Sequence, residues 1–138
     1  MRKLTDLVRS RHPVVLPPGM SVQQACQRMR AEHAGAVLVA AKDGQLKGIF
    51  TRGDAINRVL AEGKNAAKTT LAEVMTPRLR TALPHTTVIE ALRAMEDCGC
   101  RHLPVVGEGK VLGLVFRADF HGHELERIEE EEELWERI

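Results

Sequence analysis

The sequence predicts an α+β fold: two helix–strand–strand–helix repeats related by a pseudo-twofold axis, with their small sheets packed together. Three observations carry that expectation. Residues 21–60 and 87–125 match one another: Val22, Ala25 and Met29 map onto Val88, Ala91 and Met95 at an offset of 66, and Gly48, Arg52 and Asp54 map onto Gly113, Arg117 and Asp119 at an offset of 65. Within each copy the apolar spacing passes from helical to strand-like. A chain of 138 residues, 43% apolar and 28% charged, suits one globular domain or two small lobes sharing a core.

Each copy opens on a short segment ending in proline, VVLPPG or LRTALP, which leaves room for a short strand. Ser21 and Thr87 follow as helix N-caps, because their hydroxyls can accept from backbone N–H groups of the first turn. The helices behind them place apolar residues three or four apart: Val22, Ala25, Cys26, Met29 in one copy, and Val88, Ala91, Leu92, Met95 in the other. AVLVA (36–40) and HLPVV (102–106) read as buried strands. Lys42-Asp43-Gly44 and Gly107-Glu108-Gly109 supply hairpin turns. The return strands, 46–51 and 111–116, run into helices beginning near Asp54 and Asp119. One such unit cannot cover its own sheet, so two must stack. Lys64 to Lys68 reads as a polar linker, and Leu71 to Pro77 leads into copy two. The expected organisation is repeat one over 7–63, repeat two over 71–125 and an acidic C-terminal helix over 126–138, with both repeats in one module.

Composition narrows the function. The net charge of +1 gives no general reason for a polyanionic partner, and 3% aromatic content without any Tyr argues against a base-stacking platform. Nucleic acid is therefore not an expected partner. The charge is uneven, however. Residues 124–138 hold eight Glu against two Arg, a net −6, which leaves +7 on residues 1–123 and an attraction for anions there. In the tail, Leu125, Ile128, Trp135 and Ile138 share one helical face, so this helix is expected to pack on its own module or on a dimer partner. Cys26, Cys98 and Cys100 make no disulfide framework and are read as reduced thiols. The longest apolar run, 34–41, is far below the ~20 residues of a membrane span. The N-terminal MRKLTDLVRSRHP lacks an apolar stretch and is not read as a secretory signal, so the expected location is cytoplasmic.

Three further features, in this order within two repeats, point to a family. They are Val74-Met75-Thr76-Pro77 before copy two, Arg101-His102-Leu103-Pro104-Val105-Val106, and Gly48-Ile49-Phe50-Thr51-Arg52-Gly53-Asp54. Together they resemble a tandem pair of CBS (cystathionine-β-synthase) domains, the Bateman module, over roughly residues 7–125. The resemblance implies clefts between the two sheets that take adenosine-containing ligands, and pairing of modules into flat homodimers. It also implies regulation of an enzyme or transporter that this chain lacks.

The segment 48–54 is the leading candidate site. A strand running into a helix presents unpaired N–H groups that favour an anion. Thr51 can hydrogen-bond a phosphate oxygen, Arg52 adds charge, and Asp54 can accept from ribose hydroxyls; the resemblance implies the same roles for Thr51 and Asp54. The competing reading of Thr51-x-x-Asp54 is a capping box that merely satisfies the helix start. Copy two keeps Arg117 and Asp119 but has Phe116 for the hydroxyl residue, so its site is empty, blocked or suited to an uncharged nucleoside, or Phe116 is core. Arg101 and His102 stand where the family places a phosphate-reaching base, with a solvated Arg beside a strand-start His as the alternative. Leu16, Ile49, Val37 and Pro104 could wall an adenine or could simply be core. His121 and His123 could hold a metal only with a Cys, and Cys98 and Cys100 lack a His–Asp companion for nucleophilic work. The expectation is thus a non-catalytic module that needs no cofactor or metal and binds an AMP-, ADP- or ATP-type ligand at Thr51, Arg52 and Asp54. The main rival is an interaction module with vestigial clefts. A metal-dependent hydrolase would require Cys98, Cys100, His121 and His123 to converge.

Overall fold

In the computed structural model, residues 2–8, 12–77, 79–120 and 134 are described. The chain divides into two compact bodies: residues 12–79 with 108–111, and residues 1–11, 80–107 and 112–138. Histidines 121 and 123 and the acidic tail lie outside the described residues, Leu134 excepted. No helix among the described residues is long and apolar enough to cross a membrane.

The first body holds a four-stranded sheet in the order β1-β2-β3-β4. Strand β1 (Val15–Leu16) runs parallel to β2 (Ala36–Ala40), and β2 pairs antiparallel with β3 (Leu46–Thr51) from Ala36–Thr51 to Ala40–Leu46, with a bulge between Val39 and Ala40. Gly44 turns this hairpin at φ 86°. Helix α2 (Val22–Ala31) begins as its sequence dictates: Ser21 Oγ accepts from the Gln24 N–H at 3.1 Å, and Val22, Ala25 and Met29 face inward. They meet Leu16, Val37, Val39 and Phe50 in one apolar core. After β3 the chain forms helix α3 (Arg52–Asp54), continued as a π-helical turn over Ala55–Leu60.

The segment assigned in sequence to the start of copy two belongs in space to this first body. Helix α4 (Leu71–Val74) puts Leu71 and Val74 into the first core, and β4 (Thr76–Pro77) pairs antiparallel with β3. The second body mirrors this. Helix α1 (Leu4–Val8), from the N-terminus, buries Leu4 and Val8 among Val88, Leu92, Met95, Leu103 and Val115. Bridges repeat the relation, Ser21 with Thr70 in one body and Lys3 with Thr87 in the other. Each repeat is therefore completed by the stretch that precedes the opposite repeat. Equivalent glycines make room for that stretch. A Cβ on Gly48 would stand 2.6 Å from the Thr76 carbonyl oxygen, and one on Gly113 would stand 2.6 Å from Val8 Cβ.

In the second body helix α5 (Val88–Cys98) is capped by Thr87, whose Oγ1 accepts from Glu90 N–H while Glu90 accepts from Thr87 N–H. Strands β5 (His102–Gly107) and β6 (Lys110–Phe116) form a hairpin turned by Glu108 and Gly109, both at positive φ. The counterpart of β1 shrinks to one parallel bridge, Ala82 with Val105. After β6 the expected helix start near Asp119 is a 3₁₀ turn, Arg117–Asp119, with Phe120 already extended. The cysteines also differ from expectation. Cys98 and Cys100 are disulfide-bonded with Cα atoms 5.2 Å apart, and Cys26 alone is free. The reason is local: Gly99 ends α5 in the left-handed conformation (φ 67°), which folds Cys100 back beside Cys98.

Candidate functional site

The corner where β3 turns into α3 is built by a capping box. Thr51 Oγ1 accepts from Asp54 N–H at 3.2 Å, and Asp54 Oδ2 accepts from Thr51 N–H at 3.0 Å. The capping interpretation of this pair is thus correct as far as local bonds go. It leaves the Thr51 proton available to donate, and each carboxylate oxygen keeps capacity for a second bond. Asp54 Oδ1 faces Arg58 Nε at 3.6 Å, and Arg58 Nη1 donates to the carbonyls of Val74 and Met75. Asp54, only 13% exposed, therefore ties the corner to the α4–β4 lead-in.

The second repeat repeats half of this device. Asp119 Oδ2 accepts from Phe116 N–H at 2.7 Å although no hydroxyl stands at Phe116. The Asp-to-backbone bond does not need the threonine. Phe116 is half-buried and meets the His102 ring edge-on, centroids 5.3 Å apart. Phe50, by contrast, is fully buried in the first core.

The four aliphatic candidates for an adenine wall turn out to be interior. Leu16 and Val37 belong to the first core, and Ile49 and Pro104 are also buried. Of the polar candidates, Thr51, Arg52 and Asp54 share the first body, whereas Arg101, His102, Arg117 and Asp119 belong to the second. Arg101 is exposed, and its carbonyl accepts from Arg117 N–H.

Arg52 is the candidate whose surroundings the sequence did not reveal. Its backbone N–H donates to Gly35 O, and its guanidinium lies so close over Gly35 that a Cβ there would meet Nη2 at 2.7 Å. The side chain lines a cavity of about 530 Å³ with Arg30 and His33 above Cys26, Met29 and Ala55. Burial raises the Cys26 thiol pKa, as desolvation disfavours the thiolate. Arg30 and His33 escaped notice because exposed basic residues at a helix end look like ordinary solvated surface. One signal was legible: His33 occupies the position matching Gly99, and like it adopts positive φ, 53°. The left-handed conformation costs a non-glycine residue about 1–2 kcal/mol.

The matching cavity of the second repeat, about 540 Å³, is lined by Met95, Glu96, Gly99, Cys100, Arg101 and Arg117. Glu96 stands where the first repeat has Arg30, and it pairs with Arg117. Among the described residues no group of three or more His, Cys, Asp and Glu could hold a metal.

Comparison with known proteins agrees with this architecture. The CBS-domain family model matches residues 4–61 and 71–123. The chain is 36% identical over 102 residues to the CBS domain-containing protein CBSCBSPB3 of Arabidopsis thaliana, covering 74% of this chain but only 18% of that protein. It is 30% identical to YhcV of Bacillus subtilis, a CBS domain-containing protein, over 74% of this chain and 71% of the relative. A solved structure of a putative signal-transduction protein with CBS domains from Burkholderia ambifaria superposes with a TM-score of 0.77 at 26% identity, over 85% of this chain and 89% of that one. The tandem repeats, the exchanged lead-in segments and these matches place the chain in the CBS-domain family, as a pair of CBS repeats.

Proposed function

We propose that this CBS pair is a non-catalytic regulatory module that senses an adenosine-containing nucleotide at the Thr51–Asp54 corner. The observation that carries the reading is the capping box itself. It holds a hydroxyl donor and a carboxylate acceptor three residues apart on a strand-to-helix turn, each with bonding capacity left over. The Thr51 hydroxyl would donate to a phosphate oxygen, and Asp54 would accept from ribose hydroxyls. Leu16 and Val37, being core, would shape the site from behind and would not touch the base. The nucleotide changes output only as far as it binds one state of the module better than another. The output would reach an enzyme or transporter on another chain, with the module working as a homodimer.

Isothermal titration of the full chain with AMP, ADP and ATP tests this. At least one ligand should bind, and Thr51→Val should weaken it about tenfold, the loss of one charge-assisted hydrogen bond. The absence of saturable binding at millimolar nucleotide would overturn the reading. The rival is an interaction module whose aspartates are structural caps. It is favoured by Asp119, which keeps its cap with Phe116 in place of the hydroxyl residue. Under that reading Thr51→Val changes stability and no affinity.

A further inference from the structure

We propose that the cavity between the end of α2 and Arg52 is a second ligand site, distinct from the Thr51–Asp54 corner, for a small organic anion. A phosphate or carboxylate would sit among Arg30, His33 and Arg52, and an apolar body would lie over Cys26, Met29 and Ile56. The inference goes beyond nucleotide sensing, since neither Thr51 nor Asp54 lines this cavity.

Four observations converge. Among the described residues no ion pair engages Arg30, His33 or Arg52, while Glu32 pairs with Arg28 and Asp54 with Arg58. Two guanidiniums beside a ring nitrogen would repel one another unless an anion or solvent stood between them, and Arg offers forked donors suited to phosphate or carboxylate oxygens. The second repeat supplies an internal contrast: there Glu96 fills the place of Arg30 and pairs with Arg117, so the equivalent cavity sets one carboxylate of its own against Arg101 and Arg117. The first repeat has exchanged that built-in carboxylate for a third basic side chain. His33 holds its ring at the rim from a left-handed backbone where the second repeat has glycine. Finally, the floor is apolar, and Ile56 remains 57% exposed. A cavity of about 530 Å³ lies within the ~300–1,000 Å³ typical of small-molecule sites. Inorganic phosphate alone would leave that floor wet, so the fitting ligand carries both charge and an apolar group.

Octyl phosphate, octanoate and inorganic phosphate, titrated calorimetrically into the full chain below any micelle concentration, test the site. Octyl phosphate or octanoate should bind one site per chain and exceed inorganic phosphate by about tenfold or more; which of the two binds tighter identifies the headgroup. Arg30→Glu, which installs the second repeat's carboxylate, should weaken binding at least about tenfold, and Arg30→Gln should weaken it less. Ile56→Ser should bring octyl phosphate down toward the inorganic phosphate value. Saturating AMP should leave octyl phosphate binding intact, which separates this site from the nucleotide reading. Circular dichroism confirms that each variant is folded. The proposal is overturned if the parent binds neither amphiphile saturably, if Arg30→Glu and Arg30→Gln keep parental affinity, or if AMP displaces octyl phosphate.

Discussion

Asp54 and Asp119 make the same backbone bond, one to Thr51 and the other to Phe116, and this separates two roles that share a motif. The carboxylate is a cap in both repeats; only Thr51 adds a donor that a ligand could use. Removing the hydroxyl also removes a cap. Thr51→Val should therefore cost about 1 kcal/mol, a fall in melting temperature of about 3–5 °C, while Thr51→Ser should stay near the parent in denaturant unfolding. Glycines divide in the same way by what lies beside them. At Gly48 a Cβ meets the Thr76 carbonyl oxygen, backbone of β4 that cannot step aside, so Gly48→Ala should lose about 1–3 kcal/mol. At Gly35 the obstacle is the flexible end of Arg52. Gly35→Ala should leave stability within about 0.5 kcal/mol of the parent in the same assay.

At the scale of elements, caps and periodicity were legible in the sequence because they are local. Ser21 and Thr87 start α2 and α5, and the spacing of three and four selects the buried Val22, Ala25, Met29, Val88, Ala91, Leu92 and Met95, while it misses Ile89 and includes the partly buried Cys26. Helix α4 carries a further local device. Glu73 accepts from the Thr70 backbone N–H at 2.6 Å and from its hydroxyl at 3.2 Å. These bonds, the backbone one first, hold its pKa below the ordinary 4.5, with help from Lys64 and against slight desolvation. A carboxyl depressed in the folded state adds stability above its unfolded pKa and loses it as pH falls through the folded value. Stability measured by denaturant midpoint should therefore drop on acidification below about pH 4.5, and Glu73→Gln should flatten that part of the curve. The ligand candidates were less legible. Alternating strand residues such as Val37 and Ile49 look alike in sequence whether they face a core or a cleft, and burial alone decided between them.

Over the whole molecule, the exchange of lead-in segments makes the two bodies depend on distant stretches of chain. Deleting residues 1–8 removes Leu4 and Val8 from the second core but nothing from the first. Hydrogen exchange should then show lost protection across α5, β5 and β6, with α2, β2 and β3 keeping theirs; equal loss in both bodies would contradict the assignment. By itself the sequence determined the repeat, the order of helices and strands, both helix caps and the family, since each follows from local spacing or from a match between two stretches of one chain. Tertiary structure alone decided that residues 71–77 complete the first body and Leu4–Val8 the second. It also buried the four adenine-wall candidates and gathered Arg30, His33 and Arg52 around one cavity. These outcomes depend on which residues far apart in the chain come to share a surface, and on which charges then find a partner. Neither is written in the spacing of residues along a strand or helix.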